Sequence, residues 1–251
     1  MRRQILRALS AVLAAGGAAL LTAAAAGAAS AAATTHGTSH PIIYTSSQGG
    51  YTASGRWFRF VATTVKVPAP GAYSHYAEVV LGGTTVSPVT LAVAAGGGPA
   101  SVGWSVGVPP FGMGGGVLTK VDPSVGDTVL IDLYYNRSGG GVVATASDLT
   151  TGRSQAVTIS AGTKALFTAA EVAAVLRNPA SPPTGDIRLW RFTGSAVTTY
   201  TGVHGTMSGP WTTSEVLDTT NGGSSGQVVM SPSFLYGNGA DFGAWLRDWL
   251  R

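Results

Sequence analysis

The side chains able to do chemistry are few and far apart in the sequence. The chain has three glutamates, Glu78, Glu171 and Glu215, four histidines, His36, His40, His75 and His204, and no cysteine. Thiol catalysis and a disulfide scaffold are therefore excluded. His36 and His40 stand four apart, but in a Thr/Ser/Gly tail with no helix to align them. A structural zinc site wants four ligands, so neither a metal nor any other cofactor is expected. Gly222-Gly223-Ser224-Ser225-Gly226 matches the G-x-S-x-G pattern. That pattern makes a nucleophile only between a strand and a helix, and here it lies in Asn/Gly/Ser-rich sequence where composition alone produces it. Two carboxylates flanking a groove could cleave a glycoside. No two glutamates are close in sequence, however, and no strand carries E-x-D-x-x-E. Trp57, Trp104, Trp190 and Trp211 could line a sugar-binding groove, although the usual place for most of them is a core.

The elements that must position these residues read as strands. Val129-Leu130-Ile131-Asp132-Leu133-Tyr134-Tyr135 is β-branched and aromatic. Asn136-Arg137-Ser138-Gly139-Gly140-Gly141 then supplies turn residues that tolerate positive φ, so this glycosylation sequon reads as a hairpin turn. Val142 to Asp148 and Ser154 to Ile159 complete a three-stranded meander. Arg56 to Val67 is a long extended run closed by Pro68 and Pro70. Val79 to Leu81, Val102 to Val108, Ile187 to Phe192 and Val228 to Met230 add further strands. Two stretches carry helical patterns. Thr168-Ala169-Ala170-Glu171 resembles a capping box before an apolar run to Leu176, and Phe242, Trp245, Leu246, Trp249 and Leu250 recur at helical spacing. Many short strands with Gly-rich turns predict an all-β chain folded as an antiparallel β-sandwich.

The N-terminus has a different character. Met1 to Arg7 is positively charged, Ala8 to about Ala26 is apolar, and small residues follow to Ala33. That order predicts a secretory signal peptide over residues 1–33. A flexible tail over 34–43 and one sandwich domain over 44–251 follow. The product is expected to be bacterial, secreted and extracellular, with no membrane partner after cleavage. The formal charge is +4, but removing Arg2, Arg3 and Arg7 leaves 12 basic residues against 11 acidic ones. Nucleic-acid binding needs a clustered basic footprint, so no nucleic-acid partner is expected, and the protein is expected to be a monomer.

Several ordered blocks between Tyr44 and Trp245 resemble the glutamic peptidases, or eqolisins. Gly55-Arg56-Trp57 leading to Val65-Lys66-Val67-Pro68 is similar to the family's first strand. Tyr76-Ala77-Glu78-Val79-Val80-Leu81-Gly82-Gly83 resembles its S-A-W-V-G-I-D-G strand, and Gly103-Trp104 to Pro110 its W-Y-E-x-Y-P-x-P segment. Val121-Asp122-Pro123-Ser124-Val125-Gly126-Asp127 and Asp148-Leu149-Thr150-Thr151-Gly152-Arg153-Ser154 resemble V-x-P-G-D and T-D-x-T-T-G-x-S. Ser231-Pro232-Ser233-Phe234-Leu235 and Asn238-Gly239 to Phe242 resemble T-P-S-x-L and D-G-S-x-F. The resemblance implies a sandwich of concanavalin A-like lectin/glucanase type. It also implies a secreted acid endopeptidase, and a strand beginning at Phe242.

The same resemblance implies a Gln–Glu dyad, with the glutamate as general base and the glutamine amide stabilising the oxyanion. This chain departs from it. The stretch after Gly83 holds no glutamine, and Thr90 or Ala92 stands in its place. Glu78 replaces the family's tryptophan. Ala170-Glu171-Val172 matches the family's A-E-W/V strand, but alignment on Pro179 puts Ala173 at the glutamate. Glu171 is thus either the surviving half of a dyad or a helix-capping residue. Gln48 lies near the first strand and is an unorthodox candidate partner. The expectation is a hydrolase-like fold with weak or lost activity, in which Glu171 and Thr90 are the catalytic candidates and Trp57, Glu78 and Trp104 line the groove. The alternative is a non-catalytic module that holds a polypeptide or a glycan.

Overall fold

The computed structural model describes residues 40–45, 48–69, 74–83, 86–95, 99–107, 114–177, 187–219, 222–225 and 228–246. The expected signal peptide and most of the expected tail lie outside the described residues. Among the described residues there are fifteen strands and no helix. They are β1 (Ile42–Thr45), β2 (Gln48–Lys66), β3 (Ser74–Gly82), β4 (Val89–Ala95), β5 (Ser101–Val106), β6 (Gly114–Val117), β7 (Thr128–Asn136), β8 (Gly141–Asp148), β9 (Arg153–Ser160), β10 (Phe167–Arg177), β11 (Ile187–Thr199), β12 (His204–Thr206), β13 (Thr212–Thr219), β14 (Val228–Pro232) and β15 (Phe242–Leu246). Pairing begins at Ile42, which is opposite Glu215, so strand structure starts two residues before Tyr44.

The long strand β2 organises the fold. Its first part pairs with β10 and β13, and its second part with β11 and β7. Between them the chain bends at Gly55, whose φ of +79° suits glycine. The bend passes one strand from one sheet into the other. One sheet runs β2-β10-β3-β4-β5-β6, and the other runs β11-β2-β7-β8-β9. A closed circuit of pairings, β2-β13-β14-β15-β11-β2, joins them at one end.

The core follows from period-two alternation. Val129, Ile131, Leu133 and Tyr135 on β7 are buried, as are Ala77, Val79 and Leu81 on β3 and Leu91 and Val93 on β4. Phe192 stacks on Phe242 at 4.5 Å between ring centres, and Tyr51 meets Phe242 edge-on at 5.0 Å. The meander forms as its turn residues predict. Asn136 Oδ1 accepts from Ser138 Oγ at 2.7 Å and from the Gly139 N–H at 3.3 Å. The next turn closes on Asp148, which accepts from the Thr150 and Thr151 N–H groups and from Thr151 Oγ1.

The helical pattern at Thr168 is corrected by the structure. Residues 167–177 are strand, held between β2 on one side and β3 on the other. Ala170, Val172 and Ala174 pack inward while Ala173 and Val175 are buried on the opposite face. A strand covered on both faces loses its polar alternation and so resembles a helix in sequence. Cross-strand pairing on both edges outweighs the helix propensity of its alanines. Glu171 therefore caps no helix. At the C-terminus the strand beginning at Phe242 is present, with Phe242, Ala244 and Leu246 buried at period two. Trp249 and Leu250 lie outside the described residues.

Candidate active site

Directly paired residues in a sheet project to the same face. Register therefore sets which candidates share a face. One row crosses Ser214, Thr52, Glu171, Val80, Thr90 and Ser105. The next row crosses Val216, Gly50, Ala173, Glu78, Ala92 and Gly103. Gln48 lies in a third row, with Val175 and Tyr76. This is the face turned away from the core residues Val79, Leu81, Leu91 and Val172. Glu78 and Glu171 are diagonal neighbours on adjacent strands, a relation that puts backbone positions about 7–8 Å apart and long side chains within reach.

Three polar contacts define the centre. Gln48 Nε2 donates to Glu78 Oε1 at 2.8 Å. Thr52 Oγ1 donates to Glu171 Oε2 at 3.2 Å. Glu171 Oε1 and Thr90 Oγ1 are buried with no hydrogen-bond partner among the described residues. Gln48 reaches diagonally across β10 to Glu78 in the adjacent row, where β2 and β10 carry only Gly50 and Ala173. A Cβ on Gly50 would collide with the Val172 carbonyl oxygen and sit 2.6 Å from Ala173 Cα, so the close approach of β2 and β10 requires glycine there.

Burial sets the charge state of the pair. It raises Glu78 to about 8, assisted by the negative charge of Glu171 and partly offset by the Gln48 amide. It raises Glu171 to about 7, partly offset by the Thr52 hydroxyl. Two carboxyls in one poorly solvated site share protons, because like charges cannot both ionise cheaply there. The singly ionised pair combines a carboxylate with a free oxygen, Glu171 Oε1, and a neutral acid fixed by an amide. That is a general base beside a general acid. Thr90 adds an uncommitted hydroxyl donor in the row of Glu171.

The other candidates are dispersed. Trp104 pairs with Leu91 and packs against the core, on the face opposite Glu78. Trp190 is buried edge-on to His75 at 5.3 Å, and Trp211 packs edge-on to Phe58 with its Nε1 donating to the Met207 carbonyl. Trp57 is 55% exposed, at the bend of β2. Among the described residues no group of His, Asp and Glu is arranged to hold a metal. Residues 222–225 form bends and turns with no helix, and residue 226 of the G-x-S-x-G stretch lies outside the described residues. Asp218 is a buried carboxyl that the sequence did not single out. It continues the β13 alternation of Ser214 and Val216 onto the face of the pair, and burial raises it to about 7. It stands beside Val216 and Leu217 on a strand that also carries Glu215, and no motif set it apart.

No family model matches the chain, and no curated protein matches it. Solved structures do. Scytalido-glutamic peptidase with a transition-state analogue inhibitor superposes with a TM-score of 0.61 at 19% identity, covering 79% of this chain and 97% of that one. The same peptidase with a peptide-based transition-state analogue gives 0.56 at 20%, with the same coverage. SCP-B, a member of the eqolisin family in complex with the tripeptide Ala-Ile-His, gives 0.54 at 19%, again over 79% and 97%. The chain resembles the glutamic peptidases at the level of fold: it is a β-sandwich built as theirs are, over nearly their whole length.

Proposed function

We propose that the chain is an exported endopeptidase of low catalytic power whose catalytic pair is Glu171 and Glu78. The observation that carries this reading is a buried glutamate oxygen without a partner, Glu171 Oε1, beside a second glutamate held by an amide. In the proposed reaction Glu171 takes a proton from a water that attacks the scissile carbonyl. Glu78, protonated and held through Oε1 by Gln48, delivers its proton to the departing amine. Thr90 donates its hydroxyl hydrogen to the developing oxyanion. A single hydroxyl replaces the amide donor that the family resemblance implies, and loss of one oxyanion donor costs about 10²–10³ in rate. Low turnover follows.

The substrate is proposed to be an unfolded or extended polypeptide, because the proteins of this fold named above hold peptide-like inhibitors or a tripeptide. The charge state of the pair favours a working range near neutrality, between about 7 and about 8, rather than the acid range that the resemblance implies. Cleavage of a denatured protein substrate, followed in the wild type, Glu171→Gln and Glu78→Gln, tests the reading. Loss of cleavage in both variants supports it, and cleavage unchanged in Glu171→Gln rejects it. One observation favours the second reading, a module that binds peptide or glycan without cutting. Glu78 is flanked in its row by Ala92 and Ala173, and the amide of Gln48 is already engaged. Saturable binding without cleavage at any pH selects that reading.

A further inference from the structure

The bend of β2 at Gly55 borders a second feature, a cleft of about 350 Å³ lined also by Arg56, Trp57, Thr168, Thr199, Tyr200 and Thr201. Both of its near walls continue the strands of the carboxyl pair. Thr168 lies three residues before Glu171 on β10, and Gly55 lies three residues after Thr52, the register partner of Glu171. At about 3.3 Å per residue the cleft stands about 10 Å along the strands from Glu171, the span of three residues of an extended chain.

The walls are fixed. The Tyr200 N–H donates to the Trp57 carbonyl at 2.7 Å. Phe58, the next residue, is buried in the core. The Arg137 guanidinium lies 5.3 Å from the Tyr200 ring centre. Thr199 Oγ1 bonds Thr201 Oγ1 at 3.0 Å and accepts from the Val203 N–H at 3.0 Å. An indole more than half exposed on so constrained a backbone offers a flat apolar surface that needs little ordering on binding.

We propose that this cleft is a subsite for an aromatic side chain of an extended polypeptide, about three residues from the bond presented to Glu171. The choice of an aromatic ring follows from the lining. Trp57 offers an exposed indole beside the Tyr200 ring, and Arg56 offers a cation to a ring. Among the described residues no lining residue is a carboxylate or a side-chain amide, groups that commonly accept from the hydroxyls around a sugar. The Thr199 hydroxyl is already committed to its neighbours. The ligand class rests on the proposed peptidase reading, and the geometry of the cleft does not.

The test uses the full exported chain and blocked octapeptides of an alanine background carrying one phenylalanine at successive positions. Cleavage sites and kcat/KM are measured on the wild type, and Kd on Glu171→Gln. Phenylalanine three residues from the cleaved bond is expected to lower KM about tenfold relative to alanine, the scale of one buried ring. Trp57→Ala brings the Phe-to-Ala ratio close to one, while Trp57→Phe keeps most of it. Cleavage with no positional preference for phenylalanine overturns the subsite and leaves the peptidase reading intact. Binding to Glu171→Gln with that preference, but no cleavage by the wild type, supports the subsite and rejects the peptidase reading. A preference that survives Trp57→Ala, or no peptide binding at all, overturns the subsite.

Discussion

Gln48 reaches across an entire strand to hold Glu78, its Nε2 lying 2.8 Å from Glu78 Oε1. The two residues are thirty positions apart in sequence and two strands apart in the sheet. The small residues of Glu78's row, Ala173 on β10 and Gly50 on β2, leave room for the reach. The bond engages Oε1 of the Glu78 carboxyl and so orients that group.

Removing the amide should change both protonation and stability. In Gln48→Ala, Glu78 loses the one interaction that lowers its pKa. The alkaline limb of any pH–rate profile should move upward, and stability should fall by about 1–2 kcal/mol for a lost bond to a buried acid. Urea denaturation at pH 5 and a pH–rate profile check the two parts separately. Glu78 titrating unchanged in Gln48→Ala would contradict the assignment.

The buried carboxyls predict an acid-tolerant fold. Glu78, Glu171, Asp132 and Asp218 are all raised by burial above their ordinary values. Between about pH 4.5 and 8 the folded chain therefore binds more protons than the unfolded one, and stability falls as pH rises through that window. His75 acts with the opposite sign. Burial lowers it to about 4, so its contribution is lost as pH falls from 6.5 through 4. The melting temperature should peak between about pH 4.5 and 6 and decline toward pH 8, and Glu78→Gln should flatten the decline. A melting temperature that climbs from pH 5 to pH 8 would contradict this.

Asp148 should behave in the ordinary way. Burial works against its charge, but the bonds from Thr151 and Thr150 and the charge of Arg153 outweigh it and hold the carboxyl below its usual range. Its contribution is present above the unfolded pKa and is lost as pH falls. Asp148→Ala should cost about 2–3 kcal/mol, because the two N–H groups lose a charged acceptor. Chemical denaturation at pH 7 measures it, and a loss under about 0.5 kcal/mol would show the turn to be self-supporting.

Thr90 separates an oxyanion donor from a packing residue. Thr90→Val keeps the shape and removes the hydroxyl, so kcat should fall roughly 10²–10³-fold with KM little changed. Thr90→Ser should retain most of the rate. Equal rates in Thr90→Val and wild type would remove Thr90 from the chemistry.

The meander, the turn at Asn136 and the sandwich class were legible because alternation and turn residues are local properties. Strand β10 was not, since its Ala-rich sequence is apolar on both faces and only its neighbours β2 and β3 make it a strand. The grouping of Glu78 with Glu171 was hidden for the same reason. Neither residue signals the other until register sets Val80 opposite Glu171 and Ala173 opposite Glu78. The resemblance pointed to Thr90 and Ala92 as the place of a missing glutamine. The glutamine that the structure brings to the site, Gln48, comes from a different strand, which no motif could indicate.

The most direct measurement is kcat/KM on an internally quenched peptide from pH 3 to 9, for the wild type and Glu171→Gln in parallel. The wild type is expected to cleave slowly with a maximum near pH 7–8, where the pair carries one proton, and Glu171→Gln, which keeps the shape but removes the base, is expected not to cleave. Cleavage by Glu171→Gln at the wild-type rate, or a wild-type maximum at pH 3–5 with none near neutrality, would contradict this expectation.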